Sequence, residues 1–405
     1  MLRLFLMYFF INRQRHFNIL IFVNYLKTLI FISNLARNLY FIIFENLIII
    51  DMKTKQTSTK RLRLAILITM TSLFISVAFT PYNFFITNSS QTGINAKNFY
   101  SVTIDDNNTK WFLTELGIVS FNGEKWEQHS INALQGKELR NIVFDVKSGD
   151  TGFWIATSEG VVNLNSLTND SPVVTFTTEN AILGSNNTRF VSIGSNNYKW
   201  IGTDKGVAVY TGEKWLDLYY DDLYPDMLWE AFPMTALAAS VTGDTVYAAT
   251  SGVGVSRIFQ PAGVDAISGA SEYAIWGPIE LPSDDVKSFH LDKKGVKWLG
   301  TDKGAGRHIG NNTLDNWTVF TTRDGLVHDY VQAITDDNEG KIWFGTKGGI
   351  SVFDGSKFTN YTTANGLNSN NILCLTVDKQ GVVWIGTDNG VNSFCSCNGA
   401  FSSYK

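Results

Sequence analysis

A seven-residue phrase, aromatic-x-x-Thr-x-x-Gly, with a small third residue in all copies but the first, returns seven times in this chain, and that recurrence restricts the fold more than any other feature. It reads Trp111…Thr114…Gly117, Trp154…Thr157…Gly160, Trp200…Thr203…Gly206, Trp298…Thr301…Gly304, Trp343…Thr346…Gly349 and Trp384…Thr387…Gly390. A degenerate copy, Tyr247-Ala-Ala-Thr250, has its glycine displaced to Gly254. Successive aromatics stand 43, 46, 47, 51, 45 and 41 residues apart. Such a period accommodates four short strands with their turns. A β-helix would show a shorter period, and a β-sandwich would not repeat.

The last unit shows how four strands arise. Ile372–Val377 is mostly apolar, as an inner strand covered on both faces requires. Asp378-Lys-Gln-Gly381 is a hairpin turn leading to a second strand, Val382–Ile385. The Trp384 ring offers a large face to the neighbouring sheet. Thr387 can bond the turn backbone, Gly390 relieves the turn, and Val391–Phe394 follows as the third strand. In the preceding unit Lys357–Tyr361 reads as the outer strand, and Gly366–Asn371 bridges to the next unit. The predicted fold is therefore all-β: a seven-bladed β-propeller of four-stranded antiparallel blades over residues 79–405. Two segments, one around Phe84–Asn88 and the other Phe401–Tyr404, compete for the outer slot of the last sheet. The expectation is closure with some participation of the N-terminal strand.

Charge separates this body from what precedes it. The chain has 405 residues and a net charge of −4. Residues 1–51 carry +3 and residues 52–78 carry +5, which leaves −12 on 79–405. An acidic body without a basic block argues against nucleic acid as a partner. Residues 1–51 are rich in apolar residues without a clean period, and their longest run free of charges, Phe17–Leu26, is too short to span a bilayer. They read as an N-terminal extension outside the working protein, with Met52 as the true start. From Met52 a basic stretch precedes the apolar Leu64–Phe79, and Ser76 and Ala78 fit a signal-peptidase site. Residues 52–78 thus predict a signal peptide and a periplasmic or extracellular protein. The alternative is a retained anchor in the inner membrane, with the propeller outside and an uncleaved segment as the only membrane contact.

The phrase Trp-x-Gly-Thr-x-x-Gly-Val-x-x-Phe, with its Tyr-Thr-Thr-x-x-Gly-Leu-x-Ser-Asn bridge, closely resembles the two-component regulator propeller repeats; Ile342–Asn371 and Val383–Phe394 carry the resemblance best. That family is represented by the periplasmic sensor regions of hybrid histidine kinases that respond to glycans. The resemblance implies an exported binding or scaffold module, without a kinase or receiver of its own, that binds a glycan or an envelope protein.

Strand alternation places the turns between second and third strands on one face with the bridges between units. That face carries Glu115, Glu159, Asp204, Lys205, Asp302, Lys303, Lys347 and Asp388. They form a polar ring for a ligand or, more simply, a set of solvated turn tips. The bridge from Leu218 to Thr235 is longer than its counterparts and holds Tyr219, Tyr220, Asp221, Asp222, Tyr224 and Trp229. Aromatic faces beside carboxylates suit sugar rings; the plainer reading is a loop folded onto the propeller. A second insertion, Gln260–Ser271, is predicted on the opposite face as a plain surface loop. His328, Asp329 and Tyr330 form a third candidate group, in which His328 and Asp329 could act as acid and base.

Five histidines lack metal-ligand spacing, and the Asp-rich turns Asp105–Asn108 and Asp336–Glu339 lack the calcium-loop pattern, so no metal or cofactor is expected. Cys395 and Cys397 read as inert thiols beside an isolated Cys374. The reading is a non-catalytic binding module. Its rivals are a polysaccharide lyase or hydrolase on the same scaffold and an assembly scaffold of the cell envelope.

Overall fold

A computed structural model describes residues 89–90, 93–145, 152–165, 167, 172–216, 218–219, 233–239, 245–251, 254–259, 267–268, 281–310, 317–397 and 399–405. The predictions for residues 1–51 and 52–78 lie outside them, as does Phe84–Asn88.

The described chain is an all-β propeller. In chain order the first sheet is built from Phe99–Ile104, Lys110–Thr114, Gly117–Phe121 and Trp126–His129. Each strand pairs antiparallel with the next. The same four-stranded order recurs in the sheets that start at Leu139, Thr188, Val286, Val331 and Ile372. The sheet starting at Met234 has three strands among the described residues: Met234–Ala239, Thr245–Thr250 and Gly254–Phe259. The first strands of successive sheets lie side by side, and Ile372–Val377 of the last sheet lies against Phe99–Ile104 of the first.

Hydrophobic burial follows this ring. Each core cluster sits at a junction between two sheets, with the aromatic of the repeated phrase packed onto the sheet that follows. Trp200 meets Met234, Val246 and Ala248; Tyr247 meets Phe289 and Leu299; Trp343 meets Ile372, Val383 and Phe394. Trp384 packs on Phe112 and Phe121 across the junction that joins the two ends of the chain. No sheet covers its own apolar faces, so each depends on its neighbours.

The threonine of the phrase has the role expected of it. Thr114, Thr157, Thr203, Thr301, Thr346 and Thr387 each donate to the carbonyl of the glycine three residues on, at 2.7–3.0 Å. That glycine is left-handed, with φ 103° at Gly390 and 127° at Gly349. The small third position has a different cause. A Cβ on Gly386 would strike the Cys374 sulfur and come within 2.7 Å of the Phe99 carbonyl, so the neighbouring inner strand leaves no room for one.

The outer slot of the last sheet belongs to the C-terminal strand, Ala400–Tyr404. Ser89–Ser90 lies outside it as a fifth strand, parallel to Ser403 and Tyr404. The expected participation of an N-terminal strand is met by Ser89–Ser90, beside the closing strand rather than in its place.

One expectation is corrected. Cys395 and Cys397 are joined in a disulfide, not held as thiols; one intervening residue at the end of the third strand brings the two sulfurs together. Cys374 is the free cysteine, buried against the Phe99 carbonyl at 3.2 Å, and burial pushes its thiol pKa up to about 12. The unreduced native protein is expected to give no rapid reaction with a thiol reagent at pH 8, one thiol after denaturation, and three after reduction. A reactive thiol in the native state would contradict this placement. Of the Gln260–Ser271 insertion, Ile267–Ser268 is described: it pairs in parallel with Leu218–Tyr219, where the long bridge begins, and the rest lies outside the described residues.

Candidate functional site

Each described inner strand carries one irregularity, at its second residue. The ladder to the second strand skips Tyr100, Arg140, Arg189, Thr235, Lys287, Gln332 and Leu373. A bulge frees its residue from the pleat and re-aims the side chain. Seven bulges in register create a belt at the end of the ring where the bridges and phrase turns meet. Two of its members show the geometry directly. Arg140 reaches the Thr188 carbonyl at 3.1 Å, and Gln332 reaches the Ile372 carbonyl, each at the first residue of the next inner strand.

Half of the predicted polar ring, its Glu115, Glu159, Asp204 and Asp388, is engaged in fastening the bridges. The Glu115 carboxylate accepts the amides of Lys97 and Asn98 at 2.7 and 2.9 Å. Glu159 pairs with Lys137 at 2.8 Å. Asp204 and Asp388 accept from the side-chain amides of Asn187 and Asn371 at 3.0 and 2.9 Å. Burial alone would raise the Asp204 pKa; Ser185, Asn187 and the Arg189 charge outweigh it and hold the carboxyl below its ordinary range.

His328, Asp329 and Tyr330 are brought to the same face but not into an acid–base pair. His328 Nδ1 accepts the Tyr330 amide at 2.9 Å, which places the ring proton of the neutral tautomer on Nε2. Asp329 accepts from the Thr322 amide at 2.6 Å and hydroxyl at 3.3 Å. Asn370 accepts the Thr363 amide, and Asn186 the Thr178 amide, at equivalent places in other bridges. The role of Asp329 is thus a repeated structural one.

Tyr330 has a second set of contacts. Lys347 Nζ lies 3.7 Å from its ring centroid and Lys287 Nζ 5.7 Å. Lys287 also pairs with Asp285 at 2.6 Å, and Asp285 accepts the Ser251 hydroxyl at 2.7 Å. Burial would lower the Lys287 pKa, but the Asp285 bond and the charges of Tyr330 and Asp302 raise it above its usual value. Burial would likewise raise Asp285, and Lys287, Ser251 and Lys303 hold it low. This is a mixed-charge cluster, not a single-sign patch.

Tyr219 begins the long bridge within the short parallel pair described above. Tyr220, Asp221, Asp222, Tyr224 and Trp229 lie outside the described residues. No group of three or more metal-ligating side chains is assembled among the described residues. The Asp-rich turns instead bind the indoles. Asp105, Asp292, Asp337 and Asp378 each accept a tryptophan Nε1 six residues on, at 2.9–3.0 Å, while the other oxygen takes backbone amides of the turn. The six-residue Asp-to-Trp spacing is the linear signal of this bond. The bulges have a weaker signal: a polar or aromatic second residue in six of the seven inner strands, with Leu373 in the last.

Residues 325–348 and 366–389 match the Two component regulator propeller family. Those two repeats confirm the resemblance on the segments they cover. No curated protein sequence matches the chain. Among solved structures, the chain is similar to the extracellular domain assigned to a hybrid two component system, BT3049, from B. thetaiotaomicron (TM-score 0.60, 23% identity, 75% of this chain). It spans 39% of that domain's length. PorZ, a surface component of the type-IX secretion system of Porphyromonas gingivalis, aligns over 76% of this chain and 47% of its own (TM-score 0.57, 16% identity). The WD40 β-propeller domain of Doa1 aligns over 76% and 96% (TM-score 0.55, 11% identity). At these identities the likeness is one of fold.

Proposed function

We propose that the chain is an exported, non-catalytic binding module: a seven-bladed propeller that engages its ligand on the face shared by the bridges and the phrase turns. Export follows from the signal-like segment 52–78, and the Cys395–Cys397 disulfide supports an oxidising compartment, periplasmic or extracellular. The observation that carries binding rather than catalysis is the use already made of the candidate acid and base. His328 Nδ1 and both Asp329 oxygens are engaged by the backbone and side chains of their own bridge. The seven bulges, by contrast, present unlike side chains from one backbone position, a pattern suited to recognition. The regulator-propeller repeats support a role in sensing, with a glycan or an envelope protein as the ligand class.

A glycan-binding screen of the purified protein, run beside a turnover assay on the same polysaccharides, tests this reading. Binding without product formation is expected. Release of unsaturated or shortened sugars would establish the lyase or hydrolase alternative. Combined replacement of Tyr219, Tyr220 and Trp229 by alanine tests the long bridge as an aromatic platform; undiminished glycan binding would remove it from the site.

A further inference from the structure

Three sheets place a buried lysine immediately before the aromatic of the phrase: Lys110, Lys199 and Lys297. Each sends its ammonium back over the phrase aromatic of the preceding sheet. Lys110 Nζ lies 5.1 Å from the Trp384 ring centroid, Lys199 Nζ 5.9 Å from that of Trp154, and Lys297 Nζ 5.8 Å from that of Tyr247. Lys110 and Lys199 also reach a carboxylate of the preceding sheet, Asp378 at 2.9 Å and Asp145 at 2.8 Å. An ammonium on an aromatic face is thus a recurring filler of the junctions, at the end of the strands opposite the bridges.

At the junction of the last two sheets Val383 stands where the lysine would. Beside it opens a cavity of about 160 Å³, lined by Asp337, Trp343, Val383 and Phe394 together with the exposed Glu339 and Ser396. Asp337 repeats the bonding of Asp378 with one partner fewer. Asp337 accepts the Trp343 indole and the amides of Glu339 and Lys341, each at 2.9 Å. Asp378 accepts the Trp384 indole, the amides of Gln380 and Val382, and Lys110 as well. An ionised carboxylate offers about four acceptor positions, so Asp337 keeps one. The other two Asp–indole junctions are filled differently: Phe153 packs 5.0 Å from Trp111, and the Arg307 guanidinium lies 5.9 Å from Trp298. Among the described residues no cation lies over Trp343. Every residue lining the cavity is described, and none is a base. The bases around it are engaged: Lys341 with Glu339 at 2.6 Å, Lys293 with Asn338 at 3.0 Å, and Lys379 with the Asp106 carbonyl at 2.6 Å. Since Lys341 offsets Glu339, the charge left without a counter-ion is that of Asp337, 6% exposed.

We infer that the cavity between the last two sheets binds a primary alkylammonium, the group that a lysine supplies from within at other junctions. The ammonium takes the remaining acceptor position of Asp337 and lies on the Trp343 ring, and its alkyl chain lies against Val383 and Phe394. The chemistry is that of a lysine side chain, carried by a partner protein or by a free amine. An anion is repelled by Asp337, and a neutral alcohol forgoes both the ion pair and the attraction to the ring. This site is on the face opposite the bridges and does not depend on what binds there.

The test is calorimetric titration of the purified protein with butylammonium, butanol and butyrate at neutral pH. Butylammonium is expected to bind at millimolar concentration or below, butanol at least about tenfold more weakly, and butyrate not at all. Two substitutions close the cavity from within. Val383→Lys restores the ammonium that three other sheets carry at this position, and Val383→Met fills the space without a charge. Both are expected to abolish butylammonium binding, with thermal unfolding at or above the wild-type temperature as the folding control. Absence of butylammonium binding, equal binding of butanol, or binding that persists in either folded variant would overturn the inference. Titration with Nα-acetyl-lysine methylamide and with cadaverine distinguishes the two sources. Tighter binding of the lysine derivative assigns the site to a partner's lysine, and tighter binding of cadaverine assigns it to a free amine; failure of both to bind would again overturn it.

Discussion

Replacement of Asp378 by alanine is expected to destabilise the protein by about 3–5 kcal/mol, the cost of leaving a buried charge without its partner. Lys110 and Asp378 pair at 2.9 Å across the junction of the first and last sheets, with both side chains 5% exposed or less. The same carboxylate accepts the Trp384 indole at 3.0 Å and the Val382 amide at 2.9 Å. Lys110 Nζ also lies 5.1 Å from the Trp384 ring centroid. One substitution therefore frees an ammonium, an indole donor and a turn amide where the two ends of the chain meet. Denaturant unfolding gives the loss directly. Joint replacement, Lys110→Met with Asp378→Leu, is expected to recover most of it, because a buried pair exchanged for apolar groups of similar size is often neutral. No recovery would mean that the indole and turn bonds dominate. The pH dependence has a defined sign. Burial would raise the Asp378 pKa, but Trp384, Lys110 and the Val382 amide outweigh it and hold it below the ordinary carboxylate value. Its contribution is therefore complete above about pH 4 and lost as pH falls through the depressed value. The wild-type protein should soften in acid more steeply than the double variant.

Replacement of Trp343 by alanine should cost a further about 3–5 kcal/mol by the cavity it leaves. The ring is 2% exposed and packs on Phe394 at 5.0 Å between centroids. A comparison isolates the polar part. Trp343 Nε1 donates to Asp337 at 2.9 Å, whereas the buried Trp200 Nε1 has no hydrogen-bond partner. Trp343→Phe should therefore cost about 1 kcal/mol more than Trp200→Phe in the same unfolding assay. Equal losses would show that the Asp–indole bond adds nothing beyond packing.

These two positions also mark how far a linear reading reaches. The period, the inner strand Ile372–Val377 and the Thr–Gly turn lock were legible because each is local: apolar pattern, hydroxyl reach and φ > 0 are properties of a few adjacent residues. The junctions were legible only as an aromatic in search of a face. That Lys110 meets Asp378 and Cys374 meets the Phe99 carbonyl could not be read, since more than 260 residues separate the members of each pair. Tyr330 was chosen for its place in a bridge, but its lysine partners come from the next turn and from the preceding sheet's inner strand.

What the sequence by itself determined is the repeating sheet, because four strands and their turns are closed by contacts within about 45 residues. What only the tertiary structure decided is the charge and polarity of the bridge face. A bulge at one position of each inner strand turns seven unlike side chains, Tyr100 through Leu373, onto a common belt. Which polar atoms are then satisfied depends on the neighbouring sheet. No single repeat contains its neighbour, so the polarity of this face is a property of the assembled sheets.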